Sequence, residues 1–223
     1  MKPIKAVIFD LDGTLLDTID DIADSMNRTL SLFGLKTHDT TAYKRFVGRG
    51  VDRLVDAVLE GSAASEKTWG AVKKMYLRTY AEWQRRKTRP YPGIVATISA
   101  LNAAGISCNV LSNKPDPDTN AVIEHYFAPD AFVHVVGQKP GYPVKPDPRS
   151  ANEMIAALGF AKDEILYVGD TGTDMETAKN AGLVSVGVLW GFRDERELRE
   201  SGAVHLIARP EELIGLIERS AFA

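Results

Sequence analysis

The sequence has little cysteine and no long apolar run. Cys108 is the single cysteine among 223 residues, which excludes an internal disulfide framework and fits the reducing environment of the cytoplasm. No run approaches the roughly 18 apolar residues that a membrane-spanning helix needs, and the N-terminus shows no signal-peptide pattern. We therefore expect a cytoplasmic protein that does not bind membranes, with Cys108 as a buried, unreactive thiol in a strand.

The chain also lacks a strong net charge of either sign. Its formal net charge is -3, from 27 Lys and Arg residues and 30 Asp and Glu residues. This balance argues against a nucleic-acid-binding protein, because binding to a phosphate backbone needs a basic face. The hydrophobic content of 44% is that of an ordinary globular protein, and the length allows one large domain with a smaller insert.

The most informative stretch is at the start, where an apolar strand from Ile4 to Phe9 runs into Asp10, Asp12 and a glycine turn. Residues two apart on a strand point to the same face, so the two carboxylates should project together from its carboxyl end. Adjacent carboxylates repel each other unless a cation or a shared proton intervenes. An acidic turn without a function is the alternative, and it leaves that repulsion unexplained.

The hydrophobic pattern changes once along the chain. Residues 18–88 show helical periodicity with no convincing strand, and their apolar and aromatic stripes are typical of packing surfaces. After the Pro- and Gly-rich segment at residues 90–93, strands and helices alternate, which indicates a parallel sheet with helices on both faces. We predict a Rossmann-like α/β core domain over residues 1–17 and 89–223, with an all-helical cap domain over residues 18–88 inserted into it.

Polar or small residues follow four predicted strands, at the points where these strands end. Ligands in parallel sheets bind beyond the carboxyl ends of the strands, so these segments should form one site. The segments are Asp10 to Asp12, Ser112 with Asn113, the loop 137–147, and residues 169–171 around Asp170.

The carboxylates of this predicted site suit phosphoryl transfer. A carboxylate such as Asp10 can attack phosphorus and form an acyl phosphate that water later cleaves. Asp12 can protonate the leaving oxygen and then deprotonate the attacking water. Asp10 and Asp170 can hold a magnesium ion through hard oxygen ligands.

The other polar residues of the predicted site can bind the phosphoryl group itself. Lys145 would supply a second positive charge, and the hydroxyl groups of Ser112 and Thr14 can donate to the phosphoryl oxygens. Each later segment also has an ordinary explanation, namely a turn at residues 112–115, a helix start at 145–148, or an N-cap with first-turn acids at 170–174. Their order after successive strands favours a common site.

With these motifs the sequence resembles the haloacid dehalogenase superfamily of aspartyl-nucleophile phosphatases, over essentially its whole length. Residues 10–15 (DLDGTL) match the first motif of the family, Ser112 stands at the second, Lys145 at the third, and residues 169–174 match the fourth. A helical cap directly after the first motif is similar to the subfamily whose caps close over small substrates.

The resemblance implies a role for each matching residue, with magnesium as the cofactor. It makes Asp10 the nucleophile and a metal ligand, and Asp12 the general acid and base that also offers a backbone carbonyl to the metal. Asp170 should ligate the metal directly, and Asp174 should act through water or by orienting other groups. Ser112 and Lys145 should bind the transferring phosphoryl group, with Asn113 nearby.

Departures from related enzymes favour hydrolysis of a phosphate ester. Dehalogenating relatives lack the second aspartate, which is present here as Asp12. Residues 18–30 contain no histidine such as the related sugar-phosphate mutases carry. Lys36 and Lys44 do not stand in the context of the cap lysine of phosphonate-cleaving relatives.

The charge of the cap and one of its loops give information about the substrate. Residues 18–88 contain 13 Lys and Arg against 9 Asp and Glu, so a basic lid over an acidic core would suit a small substrate that is anionic at both ends. The alternative is that these charges lie on solvated helix faces. The segment around Arg49, residues 46–50, is similar to the cap loop of phosphoglycolate phosphatases, in which backbone and an arginine face the active site.

The sequence therefore predicts magnesium-dependent hydrolysis of a small phosphorylated metabolite, with 2-phosphoglycolate as the preferred candidate. Other small phosphates (a sugar phosphate, a nucleotide or pyrophosphate) and a phosphomutase reaction remain alternatives. A non-catalytic phospho-acceptor module is a remote one, because it needs neither a general acid at Asp12 nor a cap. The sequence leaves a monomer or a homodimer as possible oligomeric states.

Overall fold

The computed structural model describes residues 3–221, with side chains to Arg219. The start of the chain, to which the signal-peptide expectation refers, thus lies partly outside the described residues. The strands are β1 (Ala6–Phe9), β2 (Leu16–Asp17), β3 (Arg89–Pro90), β4 (Ser107–Pro115), β5 (His134–Gln138), β6 (Ile165–Gly169), β7 (Val184–Val188) and β8 (His205–Ile207). The helices are α1 (Ile19–Leu32), α2 (Thr40–Phe46), α3 (Gly50–Leu59), α4 (Glu66–Trp83), α5 (Ile94–Ala103), α6 (Asp116–Tyr126), α7 (Arg149–Leu158), α8 (Gly172–Ala181), α9 (Glu195–Glu200) and α10 (Glu212–Ala221).

Six parallel strands form the main sheet, in the order β5-β4-β1-β6-β7-β8. Strand β1 is central, pairing with β4 on one side and with β6 on the other. After β1 the chain builds the sheet outward through β4 and β5, then returns to the other side of β1 for the remaining strands. The carboxyl end of β1 is therefore a topological switch point, where open α/β sheets bind ligands. The predicted α/β fold is confirmed.

Helices cover both faces of this sheet, and the central strand β1 is apolar at every position. Val7 and Phe9 pack in a hydrophobic cluster with α5 and α10, whereas Ala6 and Ile8 pack in a second cluster with α7 and α8. Alternate residues of a strand point to opposite faces, so a strand buried on both sides reads as a continuous apolar run. Cys108, in β4, is buried and free, and burial raises the pKa of its thiol to about 12.

Helices α1 to α4 enclose a third hydrophobic cluster that is separate from the sheet. Its buried members on α1 and α4 recur at helical spacing and include Ile22, Met26, Leu30, Val72 and Tyr76. The side chain of Ser65 caps α4 by accepting a hydrogen bond from the backbone N–H of Thr68. The cap boundaries at residues 18 and 88 stay a prediction, with which this separate cluster agrees.

Three short features differ from the sequence-based prediction. Strand β4 continues to Pro115, beyond the expected end at Leu111, and its register with β5 shifts between these two residues. Helix α9 was not expected, because six mostly charged residues with Leu198 as the one buried side chain carry no periodic signal. The antiparallel pair β2–β3, with two residues in each strand, was not expected either and brings the entry and exit of the helical region together.

Within residues 3–221, none of the helices has both the length and the apolar character required to cross a bilayer.

Candidate active site

Lys145 lies between two carboxylates at the carboxyl end of β1. Its Nζ atom donates to Asp10 Oδ1 at 2.8 Å, to Asp174 Oδ1 at 2.7 Å and to the carbonyl oxygen of Leu111 at 3.1 Å. These contacts use all three ammonium protons. The lysine is therefore held rigidly, with its charge beside the predicted nucleophile.

Burial controls the charges of this group. Removal from water and the nearby charge of Asp174 raise the pKa of Asp10 to about 7, against the lowering effect of Lys145. Burial by itself would lower the pKa of Lys145, but Asp10 and Asp174 together raise it well above its ordinary value. The lysine consequently stays protonated at neutral pH.

Asp170 follows β6 and has both carboxylate oxygens bound. Thr14 Oγ1 donates to Oδ1 at 3.0 Å, and the backbone N–H of Phe192 donates to Oδ2 at 2.8 Å. Burial, followed by the charges of Asp174 and Asp10, raises the pKa of Asp170 well above its ordinary value. Gly13 has a φ of +88°, and a Cβ atom there would stand 2.3 Å from Asp170 Oδ2, so this turn requires glycine.

One carboxylate oxygen of Asp174 caps a helix, and the other contacts a lysine of the site. Its Oδ2 atom accepts from the N–H and hydroxyl of Thr171 at 3.1 and 2.7 Å, which completes a capping box at the start of α8. Its Oδ1 atom binds Lys145. The alternative explanation of residues 170–174, an N-cap with first-turn acids, thus holds for one oxygen of Asp174, while the other oxygen faces the site.

Three buried carboxylates form a set that suits a divalent cation. One oxygen atom from each of Asp10, Asp170 and Asp174 lies within 4.8 Å of the others. Carboxylate oxygens are the ligands that Mg²⁺ prefers, and the charge of Lys145 alone does not balance three carboxylates. The residues present therefore fit a bound metal ion. Asp174 is a candidate direct ligand, closer than sequence reasoning placed it; the backbone carbonyl of Asp12 stays a predicted ligand.

Asp12 shares the sheet edge with Asp10 but has a different partner. Lys114 Nζ donates to its Oδ1 and Oδ2 atoms at 2.9 and 3.2 Å, and also to the hydroxyl oxygen of Tyr80 on α4. Lys114 was not among the predicted site residues; it entered the prediction only within a possible turn at residues 112–115. Its position directly after Ser112 and Asn113, at a strand end, was the signal available.

The predicted phosphate-binding residues differ in how free they are. The Thr14 hydroxyl is engaged by Asp170. Asn113 donates to the carbonyl oxygens of Gly48 and Lys145 at 3.0 and 3.1 Å and accepts from the Lys145 N–H at 2.7 Å, so it ties two loops together. Ser112 lines the cavity described next, and its Oγ atom accepts from the N–H of Lys114. Ser112 thus remains the best placed hydroxyl group for a phosphoryl oxygen.

A cavity separates the strand ends from the helical region. The core contributes Asp10, Asp12, Ser112, Asn113, Lys114, Pro115 and Asp118 to its lining. The cap contributes Ile22, Val47, Gly48, Gly50, Val51, Leu54, Tyr76, Leu77 and Tyr80. The cap wall is therefore mainly apolar and aromatic.

The cap cations do not form the basic lid that net charge suggested. None of the described lysines and arginines of residues 18–88 is among the cavity-lining residues. Arg49 is exposed, although Gly48 and Gly50 on either side of it line the cavity. The solvated-face alternative thus describes these charges in this structure, and a contact of Arg49 with substrate stays a prediction.

Comparison with known proteins identifies the family of the chain. A sequence profile described as haloacid dehalogenase-like hydrolase matches residues 7–188, and the chain belongs to this family. A phosphoglycolate phosphatase of Mesorhizobium japonicum is 34% identical over 228 residues, spanning 99% of this chain and 98% of its own. Another from Rhodospirillum rubrum is 36% identical over 197 residues, spanning 86% of this chain and 82% of its own.

A solved structure agrees with this placement. The crystal structure of a Lactobacillus delbrueckii subsp. bulgaricus protein, provisionally assigned as a phosphoglycolate phosphatase, has a TM-score of 0.89 and 31% identity. The match covers 97% of this chain and 99% of that one. The expected superfamily, the resemblance to its phosphoglycolate phosphatases and the enzyme class of phosphatase are confirmed by these relatives.

Proposed function

We propose that the protein hydrolyses a small phosphate monoester through a phosphorylated Asp10, with magnesium as cofactor. The observation that carries this proposal is the position of Asp10, which lines the cavity while Lys145 and two further buried carboxylates surround it. A buried carboxylate beside a fixed cation, in a set of oxygen ligands, is the chemistry that nucleophilic attack on an anionic phosphate requires.

Two displacement steps at phosphorus complete the reaction. In the first, a carboxylate oxygen of Asp10 bonds to phosphorus while the ester oxygen leaves and receives a proton from Asp12. In the second, Asp12 takes a proton from water as that water attacks phosphorus, and the bond to Asp10 breaks. The products are an alcohol and inorganic phosphate, and both aspartates return to their starting state.

The surrounding residues hold the charge that moves in these steps. Lys145 and the Ser112 hydroxyl group would bind phosphoryl oxygens, which carry the charge in the transition state. Asp10, Asp170 and Asp174, with the predicted Asp12 carbonyl, would hold magnesium, which supplies positive charge toward the phosphate. The apolar cap wall excludes water from the attack on the ester, which strengthens these electrostatic contacts.

We propose 2-phosphoglycolate as the substrate, with glycolate and phosphate as products. The support is the similarity to phosphoglycolate phosphatases along nearly the whole chain. We also propose a cytoplasmic location, which the single buried thiol of Cys108 supports.

Phosphate release from purified enzyme with magnesium tests this function. The panel contains 2-phosphoglycolate, sugar phosphates, a nucleotide and pyrophosphate, and the highest kcat/KM is expected for 2-phosphoglycolate. An Asp10→Asn variant should lose nearly all activity. Equal kcat/KM values across the panel would refute the substrate, activity that survives in the variant would refute the mechanism, and retention of phosphate on a sugar product would indicate a mutase.

A further inference from the structure

Lys114 is the one cation among the described residues that line the cavity. The other charged lining residues are Asp10, Asp12 and Asp118, all acidic, and the cap wall brings no lysine or arginine. Lys145 does not line this cavity; it contacts Asp10 and Asp174, and the proposed function assigns its charge to the phosphoryl group. An anionic group that enters beside the phosphate therefore has Lys114 as its one lysine or arginine partner in the lining.

The ammonium of Lys114 is held in place on the cavity wall. Its side chain is 3% exposed and pairs with Asp12, whose side chain is 12% exposed. The Tyr80 hydroxyl accepts from it, and the Tyr80 ring centroid lies 4.5 Å from Nζ. Asp118 also lies close enough for its charge to interact with that of Lys114. The ammonium group of Lys114 is still the one positive charge among the described residues of the cavity lining, so an anionic substrate group would bind beside it rather than elsewhere on the wall.

The chemistry of a two-carbon substrate matches this arrangement. The leaving oxygen must lie next to the Asp12 carboxyl group that protonates it. Lys114 contacts this same carboxyl group at 2.9 Å, so the leaving oxygen also lies near Lys114. In a phosphoglycolate the carboxylate is separated from the ester oxygen by a single CH₂ group. The substrate carboxylate would then fall beside the ammonium, with the apolar residues of the cap around the CH₂.

We propose that Lys114 is the specificity-determining residue of the enzyme and binds the carboxylate of the substrate. The inference rests on the proposed function and assigns it a recognition group. Asp12 gives up part of its contact with Lys114 when the substrate carboxylate enters, so the same lysine fills two roles in sequence. The half-buried Asp118, on the same cavity wall, repels any anion extending farther, which selects against longer substrates with a second phosphate.

A pair of substrates tests this inference. 2-Phosphoglycolate and 2-hydroxyethyl phosphate have similar length, but only the first has a carboxylate. The wild-type enzyme should prefer 2-phosphoglycolate by about 100-fold in kcat/KM, the scale expected when a buried charge gains its partner. Lys114→Met should reduce this preference to about threefold or less, whatever its effect on the absolute rates through Asp12.

Two further variants separate recognition from folding. Lys114→Arg keeps the charge and should retain at least part of the preference, whereas Lys67→Met removes an exposed lysine outside the site and should retain all of it. If Lys114→Met keeps the wild-type preference, the inference is wrong and the proposed function stands. If the wild-type enzyme shows no preference, both the inference and the assignment of 2-phosphoglycolate as substrate are wrong. If Lys114→Arg loses the preference as fully as Lys114→Met, the role assigned to the charge is wrong.

Discussion

The backbone N–H of Phe192 donates a 2.8 Å hydrogen bond to Asp170 Oδ2, and the ring of Phe192 belongs to the hydrophobic cluster of the cap helices. One residue thus joins a candidate metal ligand to the helical region. The next residue, Arg193, strengthens the link, because its Nη2 atom donates to the carbonyl oxygens of Arg45 and Val47 at 3.2 and 2.9 Å. The segment after β7 therefore positions the site and the cap together.

Phe192→Ala should reduce stability and activity together. Removal of a buried ring leaves a cavity in the cap cluster and should lower the free energy of unfolding by about 3 kcal/mol. It should also lower kcat/KM, because the cap loses its attachment beside Asp170. Urea unfolding and phosphate release measure the two effects. Phe33→Ala, at a ring that is 37% exposed, is the matched control and should change stability by less than about 0.5 kcal/mol. Equal effects of the two substitutions would contradict the link.

Lys145→Met should abolish most catalysis. The lysine holds Asp10 and Asp174 and offers the nearest fixed charge to a phosphoryl group, so its loss should reduce kcat by about 10³-fold. Steady-state phosphate release measures the change, and thermal unfolding with magnesium present checks that the variant is folded. Lys67→Met, at an exposed lysine outside the site, should behave like wild type. A Lys145→Met enzyme within tenfold of wild-type kcat would rule out this role.

Asp170→Asn should stabilise the protein when metal is absent and weaken its response to magnesium. Burial and two neighbouring carboxylates raise the pKa of Asp170, so the ionised side chain destabilises the folded state at neutral pH. An amide removes this charge; its oxygen can accept from Phe192 and its NH₂ group can donate to the Thr14 hydroxyl. We expect the melting temperature in EDTA to rise by about 3 °C, the shift that about 1 kcal/mol produces in a chain of this size.

With magnesium present, the wild-type protein should have a higher melting temperature than Asp170→Asn. Binding to the folded state should raise the melting temperature of the wild-type protein and affect Asp170→Asn much less. Differential scanning fluorimetry with EDTA or Mg²⁺ measures both. Asp130→Asn, at an exposed position, is the control and should respond as wild type does. A full magnesium response in Asp170→Asn would exclude Asp170 as a ligand.

Asp21→Asn should loosen the connection through which the chain leaves the cap. The buried carboxylate of Asp21 accepts backbone hydrogen bonds of 2.8 to 3.0 Å from Arg86, Lys87 and Thr88. An amide places an NH₂ group against these N–H donors, which should cost about 2 kcal/mol of stability. Urea unfolding and limited proteolysis near residues 84–89 report the change. The neighbouring substitution Asp20→Asn should have little effect, and a similar loss in both variants would argue against a specific role of Asp21.

The sequence was sufficient to predict the sheet and much of the site. Strand β1 could be recognised because burial on both faces demands an unbroken apolar run. Asp10, Lys145 and Asp174 could be expected to meet because each lies near the carboxyl end of a strand in a parallel sheet, and all such ends share one edge. The spacing of these residues and the order of the strands along the chain carry this information, and both can be read from the sequence.

Other features depend on contacts between distant parts of the chain. Net charge suggested that the cap is basic over the cavity, but the direction in which each helix faces puts its apolar stripe there instead. The pairing of Asp12 with Lys114 spans 102 positions, and the ring of Phe192 enters a cluster formed mainly by residues 19–80. The local sequence pattern identifies the residue types at a strand end. The packing of helices on the sheet decides which lysine contacts which carboxylate, because only that packing fixes the direction of each side chain.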